Sequence, residues 1–168
     1  GMLNFFLFIL VAAFIGGLMV GRTPEFLGKK IEAKEIKIAV LVILLHPLLI
    51  LAGTAISAHL IYINPDNGWL TNDSYHGFSQ MLYEFSSASA NNGSGFEGLV
   101  DNTTFWNIST GLVMLLGRFI PIIGPLAIAG SLASKNTVPS SEGTLDASSA
   151  AFGVILLGVI IVVTALSF

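Results

Sequence analysis

Cysteine is absent from the 168 residues, so neither a disulfide framework nor a thiolate metal site can be built from this chain. Charge is also scarce: 10% of residues are Asp, Glu, Lys or Arg, against roughly 25% in soluble domains. A net charge of −3 is too small to imply a nucleic-acid partner. The stretch 59–104 holds no lysine or arginine, although Asp66, Asp73, Glu84, Glu97 and Asp101 lie within it. No Gly-rich phosphate loop is present, so the chain is not expected to bind or hydrolyse ATP. The histidines His46, His59 and His76 lack metal-ligand spacing; His46 reads as a polar residue in helix packing.

What the chain has in quantity is apolar sequence, with 54% hydrophobic residues and a mean hydropathy of +0.83. A core of this size could not absorb it, so the solvent is lipid and the expected class is an all-α integral membrane protein. Residues 2–20 are almost wholly apolar and span about 28 Å as a helix, close to the hydrocarbon thickness of a bilayer. With no basic n-region and no Ala-x-Ala-like site before Arg22, they read as a span rather than a secretory signal. Further spans are predicted at 36–58, kinked at His46–Pro47, at 105–132, and at 150–168, where the last helix is expected to continue. Between the first two, Thr23, Pro24 and Glu25 carry the capping hydroxyl, first-turn proline and acid of a helix start, predicting a short surface helix.

The positive residues set the orientation. Arg22, Lys29, Lys30, Lys34 and Lys37 place 21–37 in the cytoplasm, and Lys135 places the 133–149 loop there too. Residues 59–104 then face outward, with Tyr62, Trp69, Tyr75 and Trp106 as an interfacial aromatic belt.

Within that outer region, Phe78, Met81, Leu82 and Phe85 have helical spacing over 76–90. A helix of that length reaches roughly 20 Å, too short to cross, and both its ends must lie outside. It therefore reads as re-entrant, returning through Asn91, Asn92, Gly93, Ser94 and Gly95. A dehydrated alkali cation needs oxygen dipoles in place of its water shell, and glycine lets backbone carbonyls point inward through positive φ. Gly93 and Gly95 fit that need, while Asn91, Asn92 and Ser94 can brace the loop. An ordinary surface turn has the same composition and stays open at this point. Arg118, near the middle of a span, is costly there by at least about 2.5–3.5 kcal/mol. It reads as lining a cavity below the loop, where it gates conduction, or as half of a packing ion pair.

The strings Gly21-Arg22-Thr23-Pro24-Glu25-Phe26-Leu27-Gly28-Lys29-Lys30-Ile31, His76-Gly77-Phe78-Ser79, 86–98, Phe105-Trp106-Asn107, Gly117-Arg118-Phe119 and Ala127-Ile128-Ala129-Gly130-Ser131-Leu132 together resemble the potassium-binding A subunit of the bacterial Kdp ATPase. The resemblance implies a potassium-channel-like assembly of four helix–pore helix–filter loop–helix repeats around one filter. Residues 1–35 would hold the closing helix of a preceding repeat with a cytoplasmic helix or loop. Residues 36–132 would be the fourth repeat, 133–149 a cytoplasmic loop, and 150–168 the start of a C-terminal span. It further implies a potassium-binding, non-catalytic subunit in the bacterial cytoplasmic membrane, with K+ as the transported ion and no organic cofactor. Its partners would be the three remaining repeats, small accessory subunits, and a P-type ATPase B subunit that receives the ion and hydrolyses ATP. A non-conducting structural subunit and another cation-selective transporter are the alternatives.

Overall fold

A computed structural model describes residues 1–21, 23–72, 74–137 and 148–166. Arg22, Asp73 and most of the expected 133–149 loop lie outside the described residues. The order of elements is α1 (Met2–Met19), β1 (Glu25–Phe26), β2 (Lys29–Lys30), α2 (Ala33–Ile63), a 3-10 turn (Pro65–Asn67), α3 (Ser74–Ala90), α4 (Thr104–Ala133) and α5 (Ala150–Leu166). By length and composition α1, α2 and α4 can each cross a membrane. The apolar α5 is shorter: its 17 residues rise about 26 Å. Proline sits inside both long helices, at Pro47 in α2 and at Pro121 and Pro125 in α4.

The described residues form two compact units, residues 1–44 with 121–168, and residues 45–120. In the first, α1 packs against α5 and against β1. The surface helix predicted after Thr23 is instead a tight β-hairpin, with Glu25 opposite Lys30 and Phe26 opposite Lys29. Leu27 and Gly28 form its two-residue loop at φ 50° and 69°. Positive φ at both positions gives a type I′ turn, whose twist matches that of the strands. Glycine at the second position therefore outweighed the helix-start signal. Phe26 closes edge-on to Phe6, with ring centroids 5.9 Å apart.

Glu35, in the first turn of α2, accepts the Glu32 N–H at 2.9 Å and the Ser131 hydroxyl at 2.6 Å. The Lys135 ammonium reaches Glu35 at 2.9 Å, Glu32 at 3.1 Å and the Lys30 carbonyl at 3.1 Å. Lys29 in turn donates to the Lys135 carbonyl. Hairpin, start of α2 and end of α4 are thus joined at one lysine. Desolvation alone would lower the Lys135 pKa, but hydrogen bonds to Glu35 and Glu32 and their charges reverse the sign and raise it. A raised ammonium pKa means that this stabilisation is complete at neutral pH and is lost only as pH climbs through the alkaline lysine range.

The second unit is built around Met81, Phe85, Ala88, Leu99, Trp106 and Val113, with Leu49, Ala58, Ile61, Trp69, Leu70 and Phe105 against them. Trp106 is 1% exposed. It packs on Phe85 and Trp69, and so belongs to this core rather than to the interfacial belt assigned from sequence. Tyr62 and Tyr75 do stand exposed. Trp69 stacks on Phe105 at 4.6 Å.

Glu35 is almost fully buried and Glu32 half-exposed, so their dependence on Lys135 should differ. Lys135→Met, which strands the buried carboxylate, should destabilise by about 3 kcal/mol, and Glu32→Gln by less than about 1 kcal/mol. Thermal midpoints of the purified membrane assembly check this; equal effects would contradict it.

Candidate functional site

The residues 91–95 singled out by composition begin where α3 ends. Asn91 takes φ 60°. Its N–H donates to the Ala88 carbonyl at 3.0 Å, and the Asn92 N–H donates to the Ser87 carbonyl at 3.0 Å. Those two bonds are a Schellman cap, with asparagine in the left-handed position that glycine usually fills. The chain reverses there and runs back along the helix that it has just left.

The return path is held by one stripe of α3: Gln80, Tyr83, Glu84 and Ser87, spaced i, i+3, i+4 and i+7, so all four side chains share a face. The Ser94 N–H donates to Ser87 Oγ at 2.9 Å, and the two hydroxyls meet at 3.1 Å. Tyr83 Oη lies 3.0 Å from Ser94 Oγ, and its ring packs on Phe96 with centroids 4.4 Å apart. Gln80 Nε2 donates to the Glu97 carbonyl at 3.1 Å. Beyond it, Thr71 bonds the Gly98 carbonyl through its N–H at 3.0 Å and its hydroxyl at 2.7 Å. Leu99 then pairs with Leu70 as an isolated antiparallel bridge. The segment is fixed at its start, middle and exit, while Asn92, Gly93, Ser94 and Gly95 remain exposed.

The two glycines differ in kind. Gly93 sits at φ 75°, and nothing lies within 4 Å of where a Cβ would be. A side chain there meets backbone strain only. Gly95 is not in the left-handed region, so the backbone freedom expected of it from sequence is used by Gly93 alone. A Cβ on Gly95 would instead come within 2.8 Å of Glu84 Oε2.

The end of α3 is a junction of close approaches. His46 Nδ1 lies 2.7 Å from Ser89 Oγ, which gives His46 the packing role expected from the sequence. A Cβ on Gly117 would meet the Ser89 carbonyl at 2.6 Å, and one on Gly53 would meet the Phe85 ring at 2.4 Å. Glycine at both positions lets α2 and α4 approach α3. Arg118 follows Gly117 directly, in the middle of α4, and its side chain is exposed in this chain. Asn91 to Gly95 are thus brought together on one short loop, with Arg118 one residue past the helix contact at the loop's root. Among the described residues no trio of His, Asp and Glu is placed to hold a metal ion.

Sequence reasoning missed the supporting stripe. Its signal was present: polar residues at 80, 83, 84 and 87 repeat at helical spacing, opposite the apolar set at 78, 81, 82 and 85.

Comparison with known proteins gives a consistent result. The family described as Potassium-transporting ATPase A subunit matches residues 1–168. A Flavobacterium psychrophilum protein named potassium-transporting ATPase potassium-binding subunit is 58% identical over all of this chain, which covers 31% of that relative. Proteins of the same name from Phocaeicola vulgatus and Geobacillus kaustophilus are 58% and 54% identical over the whole chain, each covered to 30%. The chain therefore spans a little under a third of the length of the curated relatives that it matches.

Proposed function

Because the chain belongs to the Potassium-transporting ATPase A subunit family of integral membrane proteins, we propose that its loop at Asn91, Asn92, Gly93, Ser94 and Gly95 supplies one wall of a potassium-selective filter. The observation that carries this reading is the loop's attachment. A short helix caps itself, reverses, and pins an exposed, glycine-containing strand of backbone along its own polar face. Rigid placement of carbonyl dipoles is what replacing the hydration shell of K+ requires. The empty space beside Gly93 fits a backbone that faces an ion path rather than protein.

In this account K+ is cargo. The loop receives it from outside, and further filter segments of the longer protein complete the ring of oxygens. The ion then passes to an ATP-hydrolysing partner subunit, so this chain performs no bond chemistry. Arg118 stands on the inner side of the loop's root, where a fixed positive charge opposes free conduction of cations. The lysine-rich 21–37 side is cytoplasmic and the acidic 59–104 side external, in the bacterial inner membrane.

Gly93→Ala and Gly93→Asp place a β-carbon where φ is 75°, at a cost of about 1–3 kcal/mol in local strain. The expected result, measured as transport affinity for each cation in the complete complex, is weaker K+ uptake and relaxed discrimination against Rb+, NH4+ and Na+, with assembly intact. In the same assay Arg118→Gln should assemble at near-normal levels and change K+ flux. Unaltered affinity and selectivity in both Gly93 variants would remove the filter assignment, and loss of assembled Arg118→Gln protein would assign Arg118 to packing.

Orientation is checked separately with an impermeant thiol reagent on intact cells. Asn67→Cys should label and Lys30→Cys should not; the reverse pattern would invert the topology.

A further inference from the structure

Three polar members of the α3 stripe spend their side chains on the returning loop, but the fourth does not. Glu84 Oε2 is buried and has no hydrogen-bond partner. A buried carboxylate oxygen without a donor is unfavourable for folding alone, and an apolar or amide side chain would serve packing better. No lysine or arginine occurs between 59 and 104, and no ion pair to Glu84 is formed among the described residues. Asp101 adds a second negative group: its Oδ2 lies 3.9 Å from the Cβ position of Gly95, where Glu84 Oε2 lies at 2.8 Å.

Gly95 explains how the carboxylate gets there. Its backbone would tolerate alanine, since its φ is not in the left-handed region. What alanine would meet is the Glu84 carboxylate itself. The missing side chain at position 95 therefore leaves room for the Glu84 carboxyl group, and no lysine or arginine is paired with it among the described residues.

We propose that Glu84 is a positioning residue for cation affinity: seated against the open face of Gly95, its carboxylate holds a negative potential behind the loop that draws a monovalent cation to the carbonyls in front. This rests on the filter reading of residues 91–95 and deepens it. The carboxylate does not ligate the ion. It acts through space, where a fixed charge in a partly desolvated site raises the local cation concentration.

The test measures K+-dependent transport by the complete complex. Glu84→Gln keeps the shape and removes the charge; the apparent KM for K+ should rise by about threefold to tenfold with kcat retained. Glu84→Asp should restore most of the affinity. Gly95→Ala, which displaces the carboxylate without backbone strain, should raise KM similarly. The double variant Gly95→Ala/Glu84→Gln should be no worse than either single change, because both remove the same interaction. An unchanged KM in Glu84→Gln overturns the proposal, as does strict additivity of the two changes. If Glu84→Gln does not assemble, Glu84→Met, which removes the charge without leaving a polar group unpaired, decides in its place: a raised KM supports the proposal and an unchanged one overturns it. Should the Gly93 variants lose affinity while the Glu84 and Gly95 variants do not, this inference falls and the filter reading stands. Should none of them change affinity, both fall.

Discussion

The contact on which the rest depends is between α3 and the chain that returns along it. Helix ends leave carbonyls without partners, and a loop with little regular structure leaves both donors and acceptors unpaired. Those groups must be met by protein or by water. Here the Schellman pair at Asn91 and Asn92 closes the end of α3. Ser87, Tyr83 and Gln80 then take up groups of Ser94 and Glu97 in descending order along the helix. Each such bond is worth only about 0.5–1.5 kcal/mol net, but together they fix the register of the loop.

Packing carries that register into the neighbouring helices. Phe85 fills the space opened by Gly53, and the Ser89 carbonyl sits against Gly117. His46 meets Ser89 one residue before Pro47. Proline removes a backbone donor from α2 there, and bends in long helices concentrate at such positions. The short helix is thus held by close approach at Gly53 and Gly117 and by one imidazole, in addition to the Met81 and Phe85 side chains that it contributes to the aromatic core. Lipid is as apolar as leucine, so close van der Waals approach and hydrogen bonding must do the work that water-driven burial does in soluble cores.

Much of this was legible in the sequence. Long apolar runs marked α1, α2 and α4 to within a few residues, because in lipid every backbone group must be bonded within the helix and composition alone decides. The 91–95 segment stood out because its glycines follow a helix too short to cross. The hairpin at Glu25–Lys30 is hidden behind a helix signal, since Thr-Pro-Glu is a local helix start and the Leu27–Gly28 turn that overrides it depends on φ at two residues. Trp106 was placed at the interface by its type; only tertiary contacts with Phe85 and Trp69 reveal it as core. Glu84 was counted as one external acid among five, because nothing in the order of residues says that Gly95 would fold back onto it.

The most direct measurement locates the ion. Thallium can stand in for potassium as a large monovalent cation, and its anomalous scattering marks position independently of any mutation. In crystals of the complete complex grown with Tl+, the account predicts anomalous density on the exposed side of the 91–95 loop, within coordination distance of its backbone oxygens and coaxial with the other filter segments. Density confined to other parts of the membrane domain, with this loop turned to lipid or bulk solvent, would contradict it.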